Sequence, residues 1–327
     1  MILTRTPFRI SFAGGGSDLE ACYSRQPGAV LCTAINKYMY IAVKEHFGKQ
    51  FRVSYSRTEF SETASGIEHP IVRECLQWFG VDKPLEIVSM ADLPAYSGMG
   101  SSSSFTVGLL HALHVLRGEL VTPERLAREA CHIEIDKLGE PIGKQDQYIA
   151  AYGGLQFIRF NLDGTVFVDP VICRKETYRQ LSDRLLIFFT GVTRSAREVL
   201  SKQRENTTER LHVLQKLRDI ALQMRDVLCS GKDLNEFGRL LGESWEAKKQ
   251  LETSITNPAI DGAYQRGLEA GALGGKLLGA GGGGFLLFYC EPHRHVRLRE
   301  AMSGLVEVPF SLEPEGSKVV YLGSDRW

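Results

Sequence analysis

The sequence predicts an α+β protein of two domains, and three observations predict it. Apolar and β-branched runs alternate with two helical stretches through the first half; residues from about 195 to 271 carry the periodicity of amphipathic helices; and the chain then returns to strands at "GGFLLFY" and "SKVVYLG". A length of 327 residues, 43% hydrophobic and 24% charged, supplies a large core and favours two domains over one.

Taken in order, residues 8–12, 30–44 and 85–90 read as strands. "GGLQFIRFNLDGTVFVDPV" (153–171) reads as a hairpin turning at Asp163 and Gly164. Between them, a helix over 101–116 puts Phe105, Leu109, Leu110, Leu113 and Leu116 on one face. The next starts at Thr122 and Pro123, a capping residue followed by proline at the first helical position. The strand "RLLIFF" opens the second half, whose helices break near Gly231 and at "TNPAID". The boundary falls near Asp183, giving domains of 1–182 and 183–327.

Composition narrows the partner. Lys plus Arg equals Asp plus Glu at 39 each, so no net field draws the chain to nucleic acid or an anionic membrane. No run approaches the ~20 apolar residues of a membrane span. "MILTRTPFRISF" lacks a signal peptide's apolar core and cleavage site. A cytoplasmic location and a small-molecule partner are expected. The seven cysteines are dispersed without a C-x-x-C pair and read as reduced thiols. The histidines contain no H-E-x-x-H, and His111 with His114 marks one side of a helix more readily than a zinc site.

The glycines locate the chemistry. Of 33, eight fall within 271–284, three form 14–16, and Gly98 and Gly100 flank Met99. Such clusters mark backbone that must approach something closely. In "SGMGSSSS" (97–104) a glycine turn leads into a helix N-terminus, whose free N–H groups and partial positive charge suit a phosphate. The serine hydroxyls add donors and one candidate magnesium ligand. A serine-rich cap would explain one of these serines, not four with two glycines. The spacing G-x-x-x-x-G-K-[ST] is not met, since Leu277 follows Lys276. "GAGGGG" (279–284) satisfies G-x-G-x-x-G but leads into the strand-like "FLLFY" instead of a helix.

Three segments together are more specific than any one. "PFRISFAGGGSD" (7–18), "LPAYSGMGSSSS" (93–104) and "KLLGAGGGGFLLF" (276–288) resemble, in order and spacing, the three motifs of the GHMP small-molecule kinases, a family named for galactokinase, homoserine, mevalonate and phosphomevalonate kinases. The resemblance spans nearly the whole chain. Within it, "RISFAGGGSD", "GKQDQY", "TGVTRSA" and "GGKLLGAGGGGFLLFY" are most similar to the D-glycero-D-manno-heptose 7-phosphate kinases and related fucokinase domains. It implies an N-terminal domain like ribosomal protein S5 domain 2, a ferredoxin-like C-terminal domain, and an active site between them.

The resemblance also implies roles. Ser97, Gly98, Met99, Gly100, Ser101, Ser102 and Ser103 would hold the ATP phosphates, with the third-motif glycines, Gly281 and Gly282 among them, closing against that loop. Ser102 and Glu134 would ligate Mg2+. Leu126, Ala130 and Ile133 mark a buried helix face with Glu134 at its edge, where a solvated charge is the alternative. The spacing from Glu134 to Asp146 is one residue longer than in mevalonate kinase.

Asp146 matches the family's catalytic aspartate, unless it only makes a local turn, and Arg9 matches a lysine or arginine near it, where an alternating strand would also accept a plain surface residue. Lys144 would steady Asp146 or a phosphate. Asp18 would bind sugar, unless it only caps a helix. Gly15 and Gly16 stand where galactokinases carry glutamate and histidine, which leaves room for a longer, phosphorylated acceptor. Arg194 would approach the acceptor, unless it only starts a helix.

The expected activity is ATP- and Mg2+-dependent phosphorylation of the anomeric hydroxyl of D-glycero-D-manno-heptose 7-phosphate to the 1,7-bisphosphate, for nucleotide-activated heptose and surface glycan synthesis. A fucokinase-like sugar-1-kinase on an unphosphorylated sugar is the alternative, and a silent sugar or ATP sensor a third. A sensor has no need of Ser102, Glu134 and Asp146 together.

Overall fold

The first strand, β1 (Ile2–Ala13), carries an unbroken buried face through Phe8, Ile10 and Phe12 and lies beside the 18-residue β2 (Gly28–Glu45). Their antiparallel register runs from Ile2 opposite Val43 to Ala13 opposite Leu31. The structure, a computed structural model, describes residues 1–193, 197, 199–201, 209–231 and 233–323. The far edge of β2 is shared. Its first half pairs with β6 (Leu155–Phe160) and its second with β5 (Leu85–Ala91). Two short strands, β3 (Phe51–Ser54) and β4 (Thr58–Ser61), extend the sheet beyond β5, and β7 (Val166–Pro170) pairs with β6 as the expected hairpin. The turn closes at Asp163 and Gly164, where Gly164 has φ +80°.

The helix Ser101–Leu116 lies across β1 and β2 and is buried on more than the one face expected. Gly108 permits this. A Cβ there would stand 2.8 Å from Thr6 Oγ1, and Thr4 donates to the Gly108 carbonyl at 2.9 Å. The next helix, Pro123–Cys131, starts as expected, with Thr122 accepting from the Arg125 amide at 3.3 Å. It continues into a π turn, His132–Lys137.

A second sheet follows the helix Lys175–Asp183. Its strands β8 (Leu185–Phe189), β9 (Gly274–Leu277), β10 (Phe285–Tyr289) and β11 (Val306–Glu307) stand in the order β11-β8-β10-β9. The helices Asn235–Lys249 and Pro258–Glu269 cover it, and Leu211–Ser230 and Asn235–Lys249 pack on the first sheet, with the Phe12 and Phe237 rings edge to face at 5.1 Å. Asn257 caps the helix Pro258–Glu269.

One strand falls elsewhere than chain order suggests. The last, β12 (Lys318–Leu322), joins the first sheet, pairing antiparallel with residues 2–5 of β1. The crossing begins earlier, where Ile35 bridges Leu312 and the Glu313 amide donates to Ala34. The first sheet is therefore not built from residues before 183 alone. Among the described residues no helix is long and apolar enough to cross a membrane. All seven cysteines are free thiols.

Candidate active site

Where the two sheets meet, the second and third glycine segments press together. Tyr96, Gly98 and Gly100 all take left-handed φ, at 58°, 78° and 77°, so the turn into the Ser101 helix is tightly wound. For Tyr96 that conformation is a strained one, and it directly precedes the loop. A Cβ on Gly98 would lie 2.5 Å from the Leu278 carbonyl oxygen. One on Gly279 would collide with Gly98 Cα, and one on Gly284 with the Ser97 carbonyl. Gly281 and Gly282 sit against Ile255 instead, and the Gly282 amide donates to that carbonyl at 2.9 Å. The glycines that meet the loop are thus Gly279 and Gly284, and the Gly282 N–H is already spent inside the protein. Met99 is fully buried, and its carbonyl accepts from the Arg9 amide at 3.2 Å.

Arg9 ties three elements together. Projecting from β1 and only 5% exposed, its guanidinium donates to both Asp146 oxygens, at 2.7 and 2.8 Å, and to the Gly98 carbonyl at 2.6 Å. Asp146 stands in the first turn of the helix Gln145–Tyr152. A bidentate guanidinium–carboxylate pair is strong and geometrically exacting. It fixes a carboxylate beside the 97–100 turn while leaving lone pairs for a hydroxyl proton. A Cβ on Gly100 would lie 3.3 Å from Asp146 Oδ2, so loop and carboxylate nearly touch.

Glu134 lies on the π turn, whose wider winding carries one residue more than an α turn. Its buried carboxylate accepts hydrogen bonds from the Ser102 hydroxyl and from Gln147 Nε2 at 2.8 Å. No cation pairs with it among the described residues. Burial pushes its carboxyl up to about 7, against the pull of Ser102, Ser103 and Gln147, with Asp146 adding repulsion. No group of three or more His, Cys, Asp or Glu side chains placed to hold a metal ion is present among the described residues. A buried carboxylate without a counter-ion beside a hydroxyl still fits Mg2+, which takes few protein oxygens and keeps several waters and phosphate oxygens. Ser102→Ala and Glu134→Gln are each expected to move the magnesium titration of turnover to higher concentration. Titrations superimposable on wild type for both would remove these residues as ligands.

Asp18 is buried and held by amides, Gly16 to Oδ1 at 2.8 Å and Gln145 to Oδ2 at 3.2 Å. Burial raises its carboxyl to about 6; the two amides pull it back and Asp146 pushes it further. Gly143 is required here, because a Cβ would collide with that carboxylate. Gly15 has only Gln145 Nε2 and Ser11 Oγ near its Cβ position, at 3.6 and 3.8 Å, and Ser11 donates to Gln145 at 2.9 Å. Asp18, Gly15, Gly16 and Asp146 are thus brought together around Gln145.

Lys144 is placed differently from the expectation. Its ammonium donates to the Gly164 carbonyl at 3.0 Å and sits 4.7 Å over the Tyr23 ring, with no ion pair to Asp146. Adjacency in sequence did not become adjacency in space. Arg194 lies outside the described residues.

Two lysines of the site carried no role in the sequence reading. Lys276 of β9 is buried and donates to the Phe12 carbonyl at 2.7 Å, and burial with two cationic neighbours drives its ammonium well below the usual range. Lys248, near the end of the helix Asn235–Lys249, donates to the Gly279 carbonyl. The available signal was periodicity, since Leu241, Ser244, Trp245 and Lys248 share one helix face and the first three are buried.

Comparison with known proteins agrees with this geometry. The GHMP kinases N-terminal domain model matches residues 59–154 and the GHMP kinases C-terminal model residues 224–306, together more than half of the chain. A D-glycero-alpha-D-manno-heptose 7-phosphate kinase of Campylobacter jejuni is 29% identical, covering 97% of this chain and 98% of its own. The L-fucokinase/L-fucose-1-P guanylyltransferase of Bacteroides fragilis is 28% identical over 77% of this chain, which spans about a quarter of that protein. The crystal structure of a D-glycero-D-manno-heptose 1-phosphate kinase from Bacteroides thetaiotaomicron superposes with a TM-score of 0.82 at 26% identity, covering 99% of this chain and all of its own. From the paired glycine loops, the Arg9-held Asp146 and these matches to both halves, the chain belongs to the GHMP kinase family and is an ATP-dependent kinase.

Proposed function

We propose that this kinase acts on a sugar, transferring the γ-phosphoryl group of ATP to the anomeric hydroxyl of D-glycero-D-manno-heptose 7-phosphate to give the 1,7-bisphosphate, a precursor of nucleotide-activated heptose. The observation that carries the chemistry is the carboxylate of Asp146, locked by Arg9 beside the turn into the Ser101 helix. Phosphoryl transfer asks for alignment and charge neutralisation more than for covalent help. Asp146 accepts or orients the hydroxyl proton, and Arg9 keeps it aimed. Helix N-terminal amides and serine hydroxyls receive the phosphates. Ser102 and Glu134 would hold Mg2+, which when bound neutralises phosphate charge.

The substrate reading is supported by the near-complete coverage of the heptose 7-phosphate kinase relative and by the first motif. At Gly15 and Gly16 there is no side chain to fill the acceptor side or repel a phosphate, which favours a longer, phosphorylated sugar. Arg194 is the candidate contact to that phosphate. The test is ADP release with ATP and a panel of heptose 7-phosphate, heptose 1-phosphate, unphosphorylated heptose, fucose and galactose, with product identification. Heptose 7-phosphate is expected to give the highest kcat/KM, with the preference reduced in Arg194→Ala. The fucokinase-like relative favours a second reading, which a higher kcat/KM for fucose would install. No ADP release with any sugar would leave a sensor.

A further inference from the structure

The helix Asn235–Lys249 reaches the cleft along the end of β1: Ser244 donates to the Phe12 carbonyl at 3.4 Å, beside the Lys276 ammonium on the same oxygen. Four residues on, Lys248 donates to the Gly279 carbonyl, and Gly279 is the residue whose backbone presses on Gly98. The Gly98 carbonyl is held in turn by Arg9. Two glycines in backbone contact, one from each motif, therefore each carry a cation on the carbonyl oxygen.

The cations are not equivalent. Arg9 spends its charge on Asp146, and Lys276 is buried against one backbone oxygen. Lys248 has no carboxylate within ion-pair distance among the described residues, and an ammonium has three donors of which Gly279 uses one. A desolvated ammonium without a counter-ion is costly, and an anion arriving beside it removes that cost. Burial and the nearby Arg9 push this ammonium down to about 7, while Asp146 pulls it up.

We propose that Lys248 binds the phosphoryl group in transit from ATP to the acceptor and neutralises the charge it develops. In that step a bond forms between the acceptor oxygen and the γ-phosphorus. The bond from that phosphorus to the β–γ bridging oxygen breaks, its electron pair leaving with ADP, and the hydroxyl proton passes to Asp146 and on to water. Lys248 keeps its protons throughout. The inference rests on the reading of Asp146 given above. It places Lys248 at the transfer point, because the Gly279 whose carbonyl it holds presses on Gly98, whose own carbonyl is held by the Arg9 that grips Asp146.

The test measures ADP release with heptose 7-phosphate and ATP for the full chain, Lys248→Met and Lys248→Arg, with Asp146→Asn alongside. Lys248→Met is expected to lower kcat by ~10²-fold or more, as for loss of a preorganised transition-state partner, with both KM values within about threefold. Lys248→Arg is expected to stay within about tenfold of wild type. The charged groups that act on Lys248 are Arg9 of β1, Asp146 of its helix and Lys276 of β9. Of these Lys248 loses its charge near neutrality, so wild-type kcat/KM should fall as pH rises through about 7. Arginine should move that limb beyond the working range.

A Lys248→Met kcat within threefold of wild type overturns the proposal. So does an effect confined to the sugar KM with loss of preference for the phosphorylated acceptor, which would assign Lys248 to the acceptor's own phosphate. A lowered Tm and raised ATP KM with kcat intact would make it only a brace for the Gly279 loop. If Lys248→Met does not fold, the pH profiles of wild type and Lys248→Arg decide, and superimposable profiles overturn the proposal. Normal turnover in Asp146→Asn removes the reading of the site, whereas normal turnover in Lys248→Met alone removes only this inference.

Discussion

Asp146→Asn is expected to keep ATP binding and to lose ~10² to 10⁴-fold in kcat, the usual contribution of a positioned proton acceptor. Asparagine preserves the volume of the side chain and one oxygen for Arg9. Its amide nitrogen has no lone pair for a hydroxyl proton and faces a guanidinium donor that now lacks its acceptor. The phosphate loop is built from other residues, so binding of a fluorescent ATP analogue should be within a few-fold of wild type. Thermal unfolding measured alongside separates lost chemistry from a weakened fold, since half of a bidentate pair is gone. Turnover close to wild type would take Asp146 out of the mechanism.

Gly279→Ala is expected to raise the ATP KM by ~10-fold or more and to lower Tm, through steric contact. The added Cβ would collide with Gly98 Cα and lie 2.8 Å from the Gly98 oxygen, and both partners are backbone that cannot rotate away. The two glycine loops must then part. A left-handed φ also disfavours alanine, by ~1 kcal/mol. Gly118→Ala supplies the control for that second effect, because Gly118 has the same φ of +74° and its Cβ would meet nothing within 4 Å. Both variants should lose stability, and only Gly279→Ala should lose ATP affinity. Equal ATP KM values would show that contact between the loops is dispensable.

The parts of this molecule legible in its sequence were those with a local physical signature. The 101–116 helix declares itself through its apolar residues, β1 and β2 through long apolar runs, and the glycine segments through a composition that only close backbone approach explains. Asp146 and Arg9 were legible through their motifs, and the structure brings them together across 137 residues. What was not legible depends on tertiary context. The strands β3 and β4 have four residues each, too few to show a period, and the π turn at 132–137 has no compositional mark. Lys144 sits two residues from Asp146, yet it faces Tyr23. Lys248 stands beside a second lysine in "EAKKQ" and reads there as part of a charged surface. Its exception to that rule became visible only when β9 and the Gly279 loop closed over it.

The pairing of β12 with the start of β1 has a consequence for how the protein is made. The strand that carries Arg9 is made well before the strand that covers its outer edge. More than three hundred residues separate them, which at 5–20 residues per second is roughly 15 to 60 s of translation. Throughout that interval a nascent chain exposes unpaired N–H and C=O groups along residues 2–5, the kind of edge that recruits another strand. Chains that stop short of Lys318 would thus hold the loops and the Asp146 helix but leave that edge open. Loss of the final strand would then show itself first in the yield of unaggregated protein and only afterwards in its kinetics.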